Sequence, residues 1–412
     1  MGRHTAVIGG GASGMTAAIT AAREGCRVTL YEAGERLGRK LLATGNGKCN
    51  LGNLRLSRQD YYGKQPERVE ACLERFSTED TVRFFAGLGL LLKEKSGYLY
   101  PLGAQAAAVL DVLRYEIQDL GILVRTGCKI DFLRKSPGKE SFIVGFQGQR
   151  AEHDKVILAC GGKAAPKTGS DGSGLELAGA LGHTIVATVP ALVPLKCREG
   201  YCKALAGVRA EGEVRIWEGE EELACETGEI QFTEYGLSGI PVFQLSRIVN
   251  YRLLDPQPRS RELKALIDFL PGESMEQTRE RLTRRLLFQG GRTAEEFFTG
   301  ILHKKLMSVF LKLAGVKPGA LVADLDRERL WEVFCLCRRF PMRISASLSY
   351  DHAQASAGGV DLEELTDELE SRKVPGLYFA GEILDVDGKC GGYNLHWAWC
   401  SGSLAGTAAA RA

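Results

Sequence analysis

Residues 5–32 hold this 412-residue chain to one opening architecture. Thr5-Ala6-Val7-Ile8 is a short β-branched run that predicts a buried strand. Gly9-Gly10-Gly11-Ala12-Ser13-Gly14 follows and fits G-x-G-x-x-G. Met15 to Arg23 is Ala-rich and predicts a helix, which Gly25 ends. Arg27-Val28-Thr29-Leu30-Tyr31 predicts a second strand, closed by Glu32. Strand, glycine turn, helix, strand and acid, in that order, is the context a dinucleotide-binding fingerprint requires. Gly9 permits the turn, Gly11 admits a pyrophosphate against the backbone, and Gly14 lets helix and strand close up. Ser13 lies just ahead of that helix, whose N-terminus offers N–H groups and partial positive charge to the phosphates. Glu32 can accept from an adenosine ribose and repels a 2′-phosphate, so the site predicts an adenine dinucleotide and disfavours NADP.

Glycine is abundant, 50 residues against 13 prolines, which excludes collagen-like and Pro/Gly low-complexity chains. Its further clusters stand where strands end and helices begin. Glu32-Ala33-Gly34-Glu35-Arg36-Leu37-Gly38-Arg39-Lys40 extends past the acid, and Thr44-Gly45-Asn46-Gly47-Lys48-Cys49-Asn50 adds two glycines beside polar donors. Such a loop, with Arg39 and Lys40 ahead of it, suits passage along a pyrophosphate or an isoalloxazine ring. Val156 to Cys160 reads as a buried strand ending in Gly161-Gly162. Gly169 to Gly174 is not a second G-x-G-x-x-G, so no separate NAD(P)H domain is visible. Gly376 to Gly381 is a strand running into Glu382, with Asp385 beyond it. Gly391-Gly392-Tyr393-Asn394-Leu395 then opens an Ala-rich helix. Two helix N-termini fit one long cofactor, diphosphate at the first and isoalloxazine at the second, where N–H groups stabilise the charge of a reduced flavin.

Charge narrows the partners. Fifty-three Lys and Arg against 51 Asp and Glu give +2 and a pI near 7.9, which offers no support for nucleic-acid binding. No apolar run reaches the ~18 residues of a membrane span. Glycines break the N-terminal apolar stretch, unlike a signal peptide. The expectation is a cytoplasmic enzyme acting on a small molecule, with no membrane or nucleic-acid partner and an oligomeric state the sequence leaves open. The 12 Cys carry no Cys-x-x-Cys pair and no zinc spacing, so they read as reduced buried thiols and no metal is expected.

The middle of the chain predicts helices over 65–120, interrupted at Tyr98 to Pro101, and an Ala-rich helix from Ala104 to Arg114. Strands are expected at Cys128 to Leu133 and Phe142 to Phe146. Pro190 to Pro194 marks a boundary. Strands follow to about Gln231, and Phe232 to Gly239 reads as a turn-rich stretch before a helix. Helices are expected over Met275–Phe288, Thr293–Leu313 and Asp326–Phe340, their Phe and Leu positions fitting a packed core. The resulting division is 1–190 with 345–412 as a discontinuous cofactor domain and 191–344 as an insert, β-rich over 191–250 and helical over 255–344.

Several blocks together resemble a bacterial family of FAD flavoproteins, BaiN-like, that includes a 3-dehydro-bile-acid Δ4,6-reductase and L-aminoacetone oxidase. They are Val7 to Gly14, Gly38 to Asn50, Tyr98 to Leu110, Ala159 to Gly174, Phe232 to Ser246 and Ala353 to Gly402. The most specific is Gly381-Glu382-Ile383-Leu384-Asp385-Val386-Asp387-Gly388 with Gly391 to Leu395. The resemblance implies an α/β fold: a Rossmann-type FAD-binding domain, an inserted β-barrel-like domain and a helical subdomain. It implies flavin contacts at Gly11, Ser13, Gly14, Glu32, Asn46, Gly47, Asn50, Gly381, Glu382, Gly392, Tyr393 and Asn394. It also implies an FAD-dependent oxidoreductase, foremost a reductase of an unsaturated 3-oxo steroid or bile-acid-like ketone with NAD(P)H as a transient reductant. An O2-using amine oxidase of the aminoacetone type and a flavin-binding RNA-modification or regulatory protein are the alternatives. The chain departs at His396, where Gln is commoner, at Ser356, where Thr is common, and at Gly239-Ile240-Pro241, where Gly and Pro are usually adjacent. His396 and Tyr393 are the candidate proton donors, His396 because an ordinary imidazole titrates near neutrality. Cys49 and Cys390 both lie in flavin motifs, which makes a redox pair conceivable.

Overall fold

The computed structural model describes residues 3–255 and 262–411. The chain divides into two compact units, Met1–Pro190 with Tyr350–Ala412, and Ala191–Ser349. The first is built on a parallel sheet of five strands in the order Leu377–Phe379, Lys155–Leu158, His4–Ile8, Arg27–Tyr31 and Leu123–Arg125. Val7 stands opposite Ile157 on one side and Leu30 on the other, and all three are fully buried. Covering on both faces is why these strands are continuous apolar runs rather than alternating ones. From His4–Ile8 the chain first steps to one neighbour and later returns to the other. The sheet order therefore switches direction at this strand, which opens a crevice at its carboxyl end.

The opening helix, Ala12–Arg23, and the terminal helix, Tyr393–Arg411, pack against one another through glycine. A Cβ at Gly402 would stand 2.5 Å from the Ser13 carbonyl oxygen, and one at Gly406 2.5 Å from that of Ala17. Contact is thus backbone to backbone. The helix begins at Ala12, three residues earlier than its Ala-rich run suggests, because Gly11 already has extended backbone and starts the first turn.

Local expectations differ from the fold where tertiary pairing overrides pattern. Between the helices Thr78–Gly87 and Ala106–Asp119, the chain forms a hairpin of Leu92–Lys95 and Tyr98–Pro101 instead of continuing as helix. Cys128 to Asp131 is loop; the strand starts only at Phe132, which pairs with Gly145. That leaves Cys128-Lys129-Ile130 free to line the crevice.

In the second unit a closed barrel joins Leu195–Cys197, Gly236–Gly239, Glu221–Thr233, Arg209–Glu218, Leu263–Asp268 and Phe340–Ser347. Val214, Ile216, Ile230, Ala265, Ile267 and Met342 alternate into its interior with no exposed surface. The stretch Phe232 to Gly239 is strand on both sides of a tight turn at Glu234-Tyr235. The helical expectation over 255–344 is corrected at 263–268 and 340–347, which are barrel strands; residues 256–261 within it lie outside the described residues. The 191–250 segment ends in helix, Ile240–Leu254. Thr293 to Leu313 is two helices, Ala294–Phe298 and Lys304–Leu313, since Thr299 leaves helical geometry after Phe298. Phe232, Phe269, Phe310 and Phe340 form one aromatic cluster joining barrel and helices.

Among the described residues no helix is long and apolar enough to cross a membrane. All 12 cysteines are free, Cys49 and Cys390 included.

Candidate functional site

A cavity of about 1170 Å³, its mouth included, lies in the first unit at the carboxyl ends of the sheet strands. Its walls are the turns that follow three neighbouring strands: Gly9 to Ser13, Tyr31 to Ala33, and Ala159 to Gly161. Arg39, Lys40, Leu41 and Thr44 cover it from one side, and Asn394, Leu395 and Ala398 of the terminal helix close one end. This is where open α/β sheets hold nucleotides.

The glycine turn has the geometry a diphosphate needs. Gly9 has φ +111°, and a Cβ there would stand 2.3 Å from the Ala159 carbonyl oxygen. A Cβ at Gly14 would stand 1.8 Å from the Gly9 carbonyl oxygen. A Cβ at Gly11 would meet no protein atom within 4 Å. Gly9 and Gly14 are therefore required by the protein's own packing, whereas Gly11 faces open cavity. No side chain caps the opening helix, and its first turn holds no acid, so its N–H groups stay open to an anion.

Glu32 is buried and braces this turn. One carboxylate oxygen accepts from Gly10 N–H at 2.7 Å, the other from Gly34 N–H at 2.6 Å. A carboxylate has about four acceptor sites, so capacity remains for a ribose. Lys40 Nζ lies 2.7 Å from Glu382 Oε2, while Glu382 Oε1 accepts from Ser356 N–H at 3.0 Å. Ser356 Oγ in turn accepts from the N–H groups of Lys163 and Ala164. A cation is thus fixed on the cavity wall by a chain of bonds leading into the sheet. Arg39 donates to the Lys167 carbonyl at 2.6 Å, and Ser13 Oγ to that of Ala380 at 3.3 Å.

At the other end, Asn394 uses its side chain as a clamp: Oδ1 accepts from Gly388 N–H, and Nδ2 donates to Gly388 O. Gly392, φ +91°, turns the chain into the terminal helix, and a Cβ there would meet Asn50 Oδ1 at 2.6 Å. That Asn50 oxygen is buried without a hydrogen-bond partner. A buried acceptor with no partner in the protein, beside the glycine turn into the terminal helix, fits a cofactor with N–H groups to donate.

Of the residues singled out in the sequence, Gly9, Gly11, Ser13, Glu32, Arg39, Lys40, Gly161, Glu382, Asn394 and Leu395 line one cavity. Gly14 lies behind it, against Gly9. Asn46 and Gly47 are exposed on a left-handed turn, with φ of 53° and 80°. Cys49 is fully buried, and burial pushes its thiol up to about 12, with Thr44 opposing. Gly381, Asp385, Gly391 and Gly392 support the wall rather than form it, and Tyr393, next to the lining residues Asn394 and Leu395, keeps 9% of its surface exposed where His396 keeps none. Gly381 N–H donates to Ser401 Oγ, and Asp385 Oδ2 accepts from Lys64 N–H. The sequence did not single out Cys128, Lys129, Ile130 or Gln354 as lining residues. The first three carry an apolar pattern that reads as strand, and Gln354 gives no local signal.

His396 requires a correction. It is fully buried and outside the cavity, with Nδ1 3.0 Å from Thr81 Oγ1 and its ring beside Phe76. Burial holds its pKa down to about 4, with the Phe76 backbone, Asp80 and Glu79 acting the other way. It is neutral at working pH and cannot serve as an imidazolium donor. Because folding lowers this pKa from 6.5, the unfolded chain binds a proton first as pH falls. Its contribution is complete above pH 6.5 and is lost towards pH 4, by about 3 kcal/mol. Glutamine at this position should flatten that stretch of the stability–pH curve measured by urea unfolding, and leave the rate at pH 7 within about twofold. A steeper acid loss in the variant would contradict this.

One further arrangement has catalytic form without catalytic access. Ser371 Oγ lies 2.9 Å from His183 Nε2, and His183 Nδ1 lies 3.1 Å from Glu364. Ser371 is buried, and its hydroxyl accepts from Lys373 and Val374 N–H, so it is a structural knot.

A model of the HI0933-like protein Rossmann domain matches residues 3–408. The chain belongs to this family. A relative 43% identical over 407 residues, 98% of each chain, is the 3-dehydro-bile acid delta(4,6)-reductase of Clostridium scindens. Ribosomal RNA dihydrouridine synthases of Haemophilus influenzae and Escherichia coli are 27% and 29% identical over 96% of this chain and 95% of theirs. A solved 3-ketosteroid delta1-dehydrogenase from Sterolibacterium denitrificans has a TM-score of 0.50 at 13% identity, over 98% of this chain and 99% of its own, a likeness of fold. This HI0933-like chain is an FAD-dependent oxidoreductase, and its cavity matches FAD in the glycine turn, the braced acid and the second helix N-terminus.

Proposed function

We propose that the protein reduces a carbon–carbon double bond conjugated to a ketone, in a flat fused-ring substrate of the steroid or bile-acid kind, with NAD(P)H as electron source. The observation that carries this reading is the 43% identity to a bile-acid reductase over 98% of both chains. Bound FAD would supply the hydride to the β-carbon and be recharged by NAD(P)H. Gly9 to Ser13, Glu32 and Lys40 would hold its diphosphate and ribose side. Asn50, Gly392 and Asn394 would hold its ring side. The terminal helix has no acid in its first turn, so its N-terminus favours negative charge beside it.

Tyr393, in that first turn, is the assigned proton donor. Burial raises its phenol to about 12; Asp60 and Tyr98 add to this and Arg55 opposes it. It stays protonated at neutral pH and can give a proton or a hydrogen bond to a developing enolate. Tyr393→Phe should slow the oxidative half-reaction about 10²-fold with FAD content unchanged. The class of substrate is tested by adding a Δ4-3-ketosteroid to the anaerobically reduced protein. Flavin reoxidation supports the reading, and its absence overturns it. Peroxide formation with aminoacetone would instead favour an oxidase.

The second reading, uridine reduction in RNA, is favoured by two relatives, and dihydrouridine formation is also saturation of a C=C bond next to a carbonyl. The chain's net charge of +2 gives it no electrostatic support, and on the barrel hairpin Glu229 and Glu218 are paired with Arg209 and Arg252. Salt-dependent RNA binding would reverse this preference. The 12 free thiols support a reducing, cytoplasmic setting.

A further inference from the structure

Tyr393 can donate only if its hydroxyl hydrogen is not already used, and the residue that decides this is Asn53. Asn53 is buried, on the short strand Gly52–Asn53 that pairs with Tyr98. Its Oδ1 accepts from the backbone N–H of Arg55 at 2.8 Å. A backbone N–H can only donate, so this contact fixes which end of the amide is oxygen. The NH2 end must then face Tyr393, and Nδ2 lies 3.0 Å from Tyr393 Oη. Since that nitrogen can only donate, Tyr393 must accept from it, and its own O–H is turned elsewhere. Among the described residues nothing accepts that hydrogen.

The rest of the pocket holds the phenol in place without using its proton. Tyr61 Oη donates to the Tyr393 carbonyl at 3.1 Å, and the two rings meet edge to face at 6.0 Å. Gly391 leaves room for Tyr98 against the other side, since a Cβ there would meet the Tyr98 ring at 2.8 Å and that of Tyr393 at 3.3 Å. Thr78 Oγ1 donates to the Asn53 carbonyl and fixes the strand itself. The charged and titratable groups acting on the phenol are Asp60, Arg55, Tyr98 and Tyr61.

We propose that Asn53 is a positioning residue: its amide, oriented by the Arg55 N–H, forces Tyr393 to accept and so presents the phenolic O–H to the substrate ketone. This rests on the reading of Tyr393 as donor. Proton transfer from that O–H would leave a phenolate already hydrogen-bonded by Asn53 and within the field of Arg55, to be reprotonated from solvent after product leaves.

The test is Asn53→Asp, which keeps the size and the Arg55 contact but turns the facing atom into an acceptor that captures the hydroxyl hydrogen. In holoenzyme it should slow kcat by about as much as Tyr393→Phe, on the order of 10²-fold, with KM and FAD content unchanged. Its activity should recover at low pH, where the introduced carboxyl is protonated and can donate again. In a Tyr393→Phe background the same change should cost less than about twofold, because the group it acts through is gone. A substrate-free readout comes from holoenzyme labelled with 13Cζ-tyrosine. The resonance that Tyr393→Phe removes should shift in Asn53→Asp. Full activity of Asn53→Asp beside a slow Tyr393→Phe overturns the proposal and leaves the donor assignment standing. Full activity of Tyr393→Phe overturns the donor assignment and the proposal with it. Losses that add in the double variant, an unmoved resonance, or loss of FAD from Asn53→Asp each reduce Asn53 to a structural residue and overturn the proposal.

Discussion

Gly14→Val is expected to yield a protein that purifies without FAD and melts at a lower temperature. The Cβ alone would stand 1.8 Å from the Gly9 carbonyl oxygen, with the Ala159 side chain 3.3 Å away. Both obstacles stand at the carboxyl ends of interior sheet strands, so relief requires the opening helix to lift away from the first strand. Overpacking of this kind costs about 1–3 kcal/mol or more, a large part of the ~5–15 kcal/mol of a typical domain. The lifted helix also carries the N–H groups meant for the diphosphate away from the cavity. Gly11→Ala separates these effects, because its added methyl meets no protein atom within 4 Å. The melting temperature of that apo protein should stay within about 2 °C of the parent. Its FAD affinity should still fall, because the methyl occupies cavity space. A stoichiometric flavin spectrum from Gly14→Val, or an unchanged FAD titration for Gly11→Ala, would refute this account of the turn.

The second large effect is expected at Glu32. Its two oxygens accept Gly10 N–H at 2.7 Å and Gly34 N–H at 2.6 Å, both charge-assisted. Glu32→Gln is nearly isosteric, yet only one of its atoms accepts; its NH2 must confront one of the two N–H groups. Leaving a buried donor unpaired costs about 1–3 kcal/mol, and losing the charge weakens the bond that remains. FAD should bind on the order of 10²-fold more weakly, since each 1.4 kcal/mol is tenfold. Equilibrium dialysis measures this directly. A Glu32→Gln protein with parental affinity would mean that the carboxylate does not brace the turn.

How far the site could be read beforehand depended on whether a residue's role is local. Gly9, Gly11 and Glu32 were legible because strand, turn, helix and acid follow one another in sequence. Glu382, Asn394 and Leu395 were marked by glycines at a strand end and a helix start, and the fold brings them to the same cavity. Cys128 to Ile130 look like strand in the sequence because apolar residues bounded by turns look alike in a strand and in a loop that packs on a cavity. Gln354 reaches the cavity only through tertiary packing. His396 misleads for the opposite reason. Its motif reaches the cavity through Asn394 and Leu395, but helical periodicity turns its own side chain away, towards Thr81. The barrel strands at 263–268 and 340–347 were hidden because their partners are distant in sequence: Ile267 pairs with Val214 and Phe340.

The close fit of Gly402 and Gly406 to the backbone of Ser13 and Ala17 bears on when the protein can acquire its cofactor. On the ribosome, the opening strand and helix emerge long before the helix that completes their packing. Loop-closure entropy rises only slowly with length, about 0.6 kcal/mol per doubling, so the distance is a matter of timing more than of stability. Until the last helix arrives, the diphosphate turn has no ring-binding end opposite it. FAD capture is therefore expected to wait for the last helix, and until then the nascent chain leaves the packing face of the opening helix uncovered.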